Sequence, residues 1–303
     1  MTVSDPPRPP ASPKPAWLKV RLPDDEAYFA VSALLDKRGL HTICRSARCP
    51  NISECWAQKT ATFLILGNVC TRACAFCAVT KGRPEAPEIS EPERIAEAAS
   101  LLGLTYAVVT SVTRDDLPDG GAAHFAATIA ALRRRIPGIR VEALIPDFGG
   151  NPNALDIVLA VSPEILNHNL ETTESLYPAI GRPASGYRRS LEVLRRAKER
   201  GFTTKSGLMI GLGESRDDLL KTFRDLRQAG CDLLTIGQYL RPSPAHAPVV
   251  RYYPPEEFAG LKTLASAEGF PGVEAGPLVR SSYHAQTLQA SFERGRGDAA
   301  CAP

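Results

Sequence analysis

The sequence lacks a strong net charge and has no long hydrophobic run. Its 36 basic residues nearly balance its 33 acidic residues, which leaves a net charge of +3. A nucleic-acid-binding face shows itself as a clustered basic excess, so we expect no bulk nucleic-acid binding. The longest uncharged stretch that we find, residues 98–113, is too short to cross a bilayer. We therefore also expect no membrane contact.

The first residues lack the apolar core of a secretory signal and the Arg-rich pattern of a transit peptide. They contain six prolines in fifteen positions instead, which predicts a disordered tail over residues 1–16. We expect a bacterial cytoplasmic protein, in which thiols stay reduced. A chain of 303 residues allows one large domain or two ordinary ones.

Cysteine, by contrast, is plentiful and clustered. Six of the eight cysteines form two triplets, Cys44-Cys49-Cys55 and Cys70-Cys74-Cys77. Thiols at this density in a reducing compartment indicate a metal site more than disulfides. Zinc and inert thiols are the alternatives, but two closed zinc sites would need four ligands each. Three close thiolates suit one face of an iron–sulfur cluster, with one iron left open.

From about residue 60 onward, apolar runs alternate with helical periodicity. The predicted strands span residues 62–66, 106–109, 140–145, 164–166, 203–210 and 232–236. The predicted helices span residues 90–102, with a capping box that starts at Ser90, then 121–135, 153–160, 187–200, 215–229 and 255–268. About six βα units predict an α/β fold with a parallel sheet, either doubly wound or a full or partial barrel. The active site should lie at the carboxyl ends of the strands.

The second triplet, in CTRACAFC, directly follows the first predicted strand. It resembles the cluster loop of the radical S-adenosylmethionine (SAM) superfamily, and Phe76 matches the aromatic residue usually found there. The resemblance implies that Cys70, Cys74 and Cys77 hold a catalytic 4Fe-4S cluster whose open iron chelates SAM. It also implies a partial (β/α)6 TIM-like barrel over residues 61–270, with extensions at 17–60 and 271–303.

The first triplet narrows the resemblance further. Together with VEALIPDF, NHNLET and RSSYHA it resembles the lipoyl synthase family, over residues 41–288. That family of sulfurtransferases inserts two sulfur atoms, at C6 and C8 of an octanoyl chain linked to a carrier lysine. The resemblance implies a second, auxiliary 4Fe-4S cluster that is consumed as the sulfur source. Its ligands would be Cys44, Cys49, Cys55 and Ser282, the last of which is a weaker ligand for iron than a thiolate.

The resemblance also implies cofactors and partners. The cofactors are two 4Fe-4S clusters and SAM. The substrate would be an octanoylated lipoyl carrier domain, from a 2-oxoacid dehydrogenase or the glycine-cleavage H protein. An electron donor such as ferredoxin or flavodoxin and an iron–sulfur carrier for cluster repair would also be needed.

Five positions are candidate SAM contacts, chosen from the cluster loop, the strand ends and a Gly-rich segment: Phe76, Ser111, Asn169, Lys205 and Gly211. The alternative for Gly211 is an ordinary strand-to-helix turn capped by Ser215. His124 and His246 carry no signal for a role. Cys231 is expected to be a buried apolar residue, and Cys301 an exposed free thiol.

Other functions remain open. A biotin synthase-like enzyme should lack the first triplet, and a transfer-RNA methylthiolating enzyme should carry a further basic domain. A non-catalytic iron–sulfur electron carrier needs neither an open iron nor a large βα core, and it should not bind SAM.

Overall fold

The computed structural model describes residues 14–20, 25–58 and 60–300, with side chains as far as residue 294. Most of the predicted tail, and Cys301, lie outside the described residues. The strands in the described residues are β1 His41–Thr42, β2 Thr62–Ile65, β3 Val69–Cys70, β4 Thr80–Lys81, β5 Tyr106–Ser111, β6 Arg140–Leu144, β7 Ile165–Asn167, β8 Thr203–Ile210, β9 Leu233–Gln238 and β10 Gly272–Gly276. The α-helices are α1 Glu26–Lys37, α2 Ile43–Ser46, α3 Ile52–Ala57, α4 Glu91–Leu101, α5 Ala122–Arg135, α6 Pro152–Ala160, α7 Ser185–Glu199, α8 Arg216–Gln228, α9 Pro255–Ala267 and α10 Ala285–Ala300.

The main sheet runs in the order β1-β2-β5-β6-β7-β8-β9-β10. Every neighbouring pair is parallel except β1 and β2, which are antiparallel. A doubly wound sheet reverses its strand order at a switch point, whereas this order simply follows the chain. The two edges, β1 and β10, do not pair with each other. The predicted α/β class is therefore confirmed, and the sheet is open, as a partial barrel is.

The outer helices form where apolar residues recur at helical spacing. Helix α8 buries Leu219, Phe223 and Leu226, and it begins at a capping box between Ser215 and Asp218. The strands beneath are buried on both faces, as parallel strands covered by helices are. In β9, for example, all six residues are buried. Among the described residues, we find no helix with the length and apolar character needed to cross a membrane.

The capping box predicted at Ser90 is wrong, although helix α4 starts there. Ser90 has a helical backbone conformation and its hydroxyl donates to Glu88 at 3.2 Å. Glu91 is buried and accepts hydrogen bonds from the Leu66 amide, at 2.8 Å, and from His124, at 2.7 Å. His124, which carried no sequence signal, thus joins helices α4 and α5.

The last helix, α10, covers the inner face of the sheet. Successive residues of a strand point to opposite faces. In β5, Ala107 and Val109 pack with the outer helices, whereas Tyr106 and Val108 pack against Ala285 of α10. Further along, Leu288 and Phe292 pack against inward-facing residues of β7 and β9. The RSSY segment (residues 280–283) therefore leads directly into a helix that is packed against the inner face of the sheet.

The sequence analysis missed four strands: β1 and β10 of the main sheet, and the two-residue strands β3 and β4. Strand β1 is only two residues long, and β10 reads GVEAG, which lacks a run of β-branched residues. Strand β10 pairs with β9 over its whole length. Gly272 is needed there because a Cβ would lie 2.5 Å from the Leu233 side chain. The region after residue 270 thus contributes a strand to the sheet.

Candidate active site

A cavity of about 320 Å³ lies at the carboxyl ends of the parallel strands. Five of the six clustered cysteines line it, namely Cys44, Cys49, Cys70, Cys74 and Cys77. Cys55 lies close to Cys44 and Cys49, since the charges of both contribute to the raised pKa of its thiol. Both triplets therefore face one cavity, where the parallel topology places a site.

The loop of the second triplet is held on both sides by backbone contacts. The Ala75 amide donates to the Ile180 carbonyl at 2.8 Å, and the Ala75 carbonyl accepts from the Ala247 amide at 2.8 Å. The ring of His246 contacts the Cys77 carbonyl at 3.1 Å through Nε2. His246 thus positions the loop, a role that the sequence did not indicate.

The first triplet is carried by α2, α3 and the turn between them. Thr42 caps α2 with its hydroxyl, which accepts from the Arg45 amide at 3.3 Å. Backbone hydrogen bonds join the Cys49 amide to the Cys44 carbonyl and the Cys55 amide to the Asn51 carbonyl, each at 2.9 Å. Short helical turns of this kind bring three thiols to one side.

The shifted pKa values of the cysteine thiols are consistent with a site that binds a metal cluster. Burial, together with the charges of neighbouring thiols, raises the pKa of Cys44 to about 11 and that of Cys55 to about 12. Burial likewise raises the pKa of Cys77 to about 11. Several buried thiolates so close together need a cationic partner, which bound iron supplies. Within the described part of the chain, no three acidic, cysteine or histidine side chains are arranged for a single metal ion.

The RSSY segment completes the wall on the side of the first triplet. Ser282 lines the cavity. The Ser281 hydroxyl donates to Asn169 Oδ1 at 2.7 Å, and the Tyr283 hydroxyl donates to the Glu54 carboxylate at 3.0 Å. The segment is therefore tied both to the barrel and to the helix that carries Cys55.

Comparison with known proteins shows the family. The model of the radical SAM superfamily matches residues 64–226. A lipoyl synthase of Koribacter versatilis is 57% identical over 281 residues, which cover 92% of each chain. One of Rubrobacter xylanophilus is 55% identical over 284 residues, which cover 93% of this chain and 88% of that one. The chain belongs to the lipoyl synthase family.

Solved structures agree on the fold. A maturase of the FeFe-hydrogenase aligns with a TM-score of 0.52 at 15% identity, over 81% of this chain and 65% of that one. Coproporphyrinogen III oxidase of Escherichia coli, a radical SAM enzyme, aligns with a TM-score of 0.50 at 14% identity, over 74% and 57%. At sequence identities this low, the two alignments support the fold and nothing about function. Membership in the lipoyl synthase family makes the chain a radical SAM sulfurtransferase that uses SAM and 4Fe-4S clusters, and it disfavours the alternative functions.

Three of the five candidate SAM contacts line the cavity: Phe76, Ser111 and Asn169. The Ser111 hydroxyl is buried and has no hydrogen-bond partner among the described residues. A buried polar atom without a partner is costly, so this hydroxyl is suited to a bound ligand. The ring of Phe76 lies 5.7 Å from the Arg182 guanidinium carbon.

The other two candidates, Lys205 and Gly211, are not among the residues that line the cavity. The Gly211 amide donates to Glu214, and a Cβ at this position would lie 2.2 Å from Gln238 Nε2. Its φ of 102° also favours glycine. The geometry of Gly211 is that of an ordinary strand-to-helix turn.

Lys205 lies in a buried ionic network between strands. Its ammonium contacts both carboxylate oxygens of Glu142 at 3.0 and 3.1 Å, and neither side chain is exposed. The same carboxylate accepts from Tyr106 at 2.9 Å and from Asn167 at 2.7 Å. The carboxylate that Lys205 contacts is therefore that of Glu142 and not that of a ligand.

We expect Lys205→Met to destabilise the fold by about 3 kcal/mol, because it leaves the Glu142 carboxylate buried without its counter-ion. Urea denaturation followed by circular dichroism measures the change. The double variant Lys205→Met with Glu142→Leu removes both charges and should recover much of the loss. Unchanged stability of the single variant would contradict the pairing.

Several polar residues of the cavity wall were missed by the sequence analysis. Glu171 has a φ of 75°, which is rare for a residue with a side chain, and it lies 3.8 Å from Arg182. Burial raises the pKa of Glu171, while the Arg182 charge opposes the shift. Arg182 also lies close to the Cys74 thiol. Glu171 falls within NHNLET, but Arg182 lies in a segment with no periodic signal.

A second ionic group, centred on Arg72, supports the loop of the second triplet. Arg72, inside the second triplet, contacts Asp115 at 2.7 Å and Asp147 at 2.6 Å. Burial works to raise the pKa of Asp147, but the Arg72 guanidinium overcomes it and lowers that pKa to about 2. His168 beside them is buried, which lowers its pKa to about 4 and keeps it neutral. Arg72 therefore fixes the loop with a charge that persists at neutral pH.

Proposed function

We propose that the chain converts an octanoyl group on a carrier lysine into a lipoyl group by inserting sulfur at C6 and C8. The observation that carries this proposal is that both cysteine triplets and Ser282 face one cavity. An acyl chain in that cavity would lie within reach of both sites. A reaction that needs radical formation and sulfur donation on the same chain requires this arrangement.

The residues divide into two ligand sets. Cys70, Cys74 and Cys77 would hold the cluster that binds SAM, since three thiolates leave one iron open. Cys44, Cys49, Cys55 and Ser282 would hold the auxiliary cluster. When bound, SAM and the clusters supply the radical chemistry and the sulfur atoms, which no side chain can provide.

The chain itself supplies the shape and the polarity of the cavity. Its wall includes apolar side chains that suit an octanoyl chain, among them Val79, Val112, Leu144, Ile145 and Met209. These residues would also exclude water and reductant, which would quench a radical. Phe76, Ser111 and Asn169 would contact SAM in the same cavity.

The family suggests which carrier proteins, electron donors and iron–sulfur carriers this chain works with. We propose octanoylated lipoyl domains of 2-oxoacid dehydrogenases, or the glycine-cleavage H protein, as substrates. Ferredoxin or flavodoxin would donate electrons, and an iron–sulfur carrier would rebuild the auxiliary cluster. The reaction would take place in the bacterial cytoplasm.

The test is the mass of an octanoylated carrier domain after anaerobic incubation with reconstituted protein, SAM and a strong reductant. We expect a gain of two sulfur atoms, with the loss of two hydrogen atoms once the dithiol product has been oxidised to the cyclic disulfide. A carrier with an unmodified target lysine is the control and should keep its mass. An unchanged octanoylated carrier with deoxyadenosine released would overturn the proposed substrate. No SAM cleavage by protein that holds both clusters would favour an electron carrier instead.

A further inference from the structure

The segment over residues 278–284 crosses from the sheet to α10 and carries Ser282 past the first triplet. On the side of the N-terminal extension, Asn51 Nδ2 donates to the Leu278 carbonyl at 2.7 Å. Glu54 accepts from Tyr283 on the same side, at a solvent-exposed position. The Asn51 contact is partly buried, whereas the Tyr283 contact is exposed and adds little rigidity, because water competes for both of its groups.

Ser281 makes the contact on the barrel side, and that contact is partly buried. Its hydroxyl donates to Asn169 Oδ1 at 2.7 Å, beyond the end of β7. Asn169 lies beside Glu171, whose carboxylate is 3.8 Å from the Arg182 guanidinium. Arg182 reaches Cys74 of the second triplet. A row of neighbouring polar side chains thus extends from the residue next to Ser282 towards the opposite cysteine loop.

The backbone of β8 leaves room for this contact. A Cβ at Gly207 would lie 2.7 Å from Asn169 Oδ1 and 2.7 Å from Ser281 Oγ. It would also lie 2.9 Å from the Thr235 hydroxyl. Contacts this short do not occur for real Cβ atoms, so any side chain at Gly207 would push the pair apart. The absence of a side chain is therefore a condition for the Ser281–Asn169 hydrogen bond.

We propose that Ser281 is a positioning residue, which holds the Ser282 segment against the barrel through Asn169 in the space left by Gly207. This proposal rests on the proposed function in assigning Ser282 to the auxiliary site. Because Ser281 and Ser282 are adjacent, fixing one side chain restricts where the other can point. Loss of the tie would loosen the Ser282 side of that site while the thiols of both triplets keep their places.

Hydrogen exchange of the reconstituted full chain tests the tie without turnover. We expect Ser281→Ala to speed exchange of the amides over residues 279–284 about fivefold, which is the scale of one lost hydrogen bond. Gly207→Ala should do the same by steric displacement. The amides of the double variant Ser281→Ala with Gly207→Ala should exchange no faster than those of either single variant. Both substitutions break the same hydrogen bond, and the Cβ at position 207 no longer meets the Ser281 hydroxyl oxygen. Ser266→Ala, on the exposed side of α9, is the matched control and should change nothing.

A spectroscopic readout separates positioning from general loosening. The full chain with Cys70, Cys74 and Cys77 replaced by Ala should hold only the auxiliary cluster. In that background we expect Ser281→Ala to shift the electron paramagnetic resonance signal of the reduced cluster, and Ser281→Thr, which keeps the hydroxyl, to restore it. Wild-type exchange and a wild-type signal in Ser281→Ala would overturn the proposal. Neither readout needs an octanoylated substrate, so a wrong substrate would leave both expectations intact.

Discussion

Cys74→Ala is expected to abolish SAM cleavage, with a fall of more than about a hundredfold, because the cofactor that supplies the chemistry loses a ligand. Cys74 lies in the centre of the loop that faces the cavity, beside Arg182. Two remaining thiolates cannot hold a cluster that needs three protein ligands. Deoxyadenosine release under strict anaerobiosis measures the effect.

The matched control for this substitution is Cys231→Ala. Cys231 is fully buried before β9, its thiol donates to the Leu233 carbonyl at 3.3 Å, and it does not line the cavity. It should keep SAM cleavage near the wild-type rate. Rapid deoxyadenosine release by Cys74→Ala would show that the second triplet does not hold the SAM cluster.

Cys49→Ala should separate the two halves of the reaction. Cys49 lies on the part of the cavity wall formed by the N-terminal extension, near the Arg280 charge. We expect Cys49→Ala to retain SAM cleavage within about tenfold of wild type, since it leaves the three thiols Cys70, Cys74 and Cys77 unchanged. It should yield no thiolated carrier, because the auxiliary site has lost a ligand.

The measurement compares deoxyadenosine and lipoyl product in the same reaction. Cys74→Ala supplies the contrasting pattern, in which both products are absent. Lipoyl groups formed by Cys49→Ala at a wild-type rate would contradict the assignment of sulfur donation to the first triplet.

The parts of the fold that depend on local pattern were predictable from the sequence. All six predicted strands form, because short runs that contain apolar residues but lack helical periodicity alternate with helical segments. The cysteine spacings are also local, so both triplets could be found by inspection. Ser111 and Asn169 were placed at the cavity because the ends of parallel strands share one edge.

The remainder depends on contacts between distant residues. The capping box at Ser90 failed because the Ser90 hydroxyl donates to Glu88 and the Glu93 carboxylate pairs with the distant Arg134, which no local pattern reveals. Lys205 lies in the first half of an eight-residue strand, so its side chain meets Glu142 below the cavity. The tie between Ser281 and Asn169 joins residues 112 positions apart, with Gly207 making the room.

The origin of the inserted sulfur tests the central claim most directly. The protein would be reconstituted with heavy sulfide, freed of excess sulfide, and reacted with SAM, reductant and an octanoylated carrier. The account predicts that both sulfur atoms of the product are heavy, and that product stops at about one lipoyl group per chain when no cluster repair is provided. A product that contains light sulfur, or several lipoyl groups formed per chain without cluster repair, would contradict the claim that the first triplet and Ser282 hold the sulfur source.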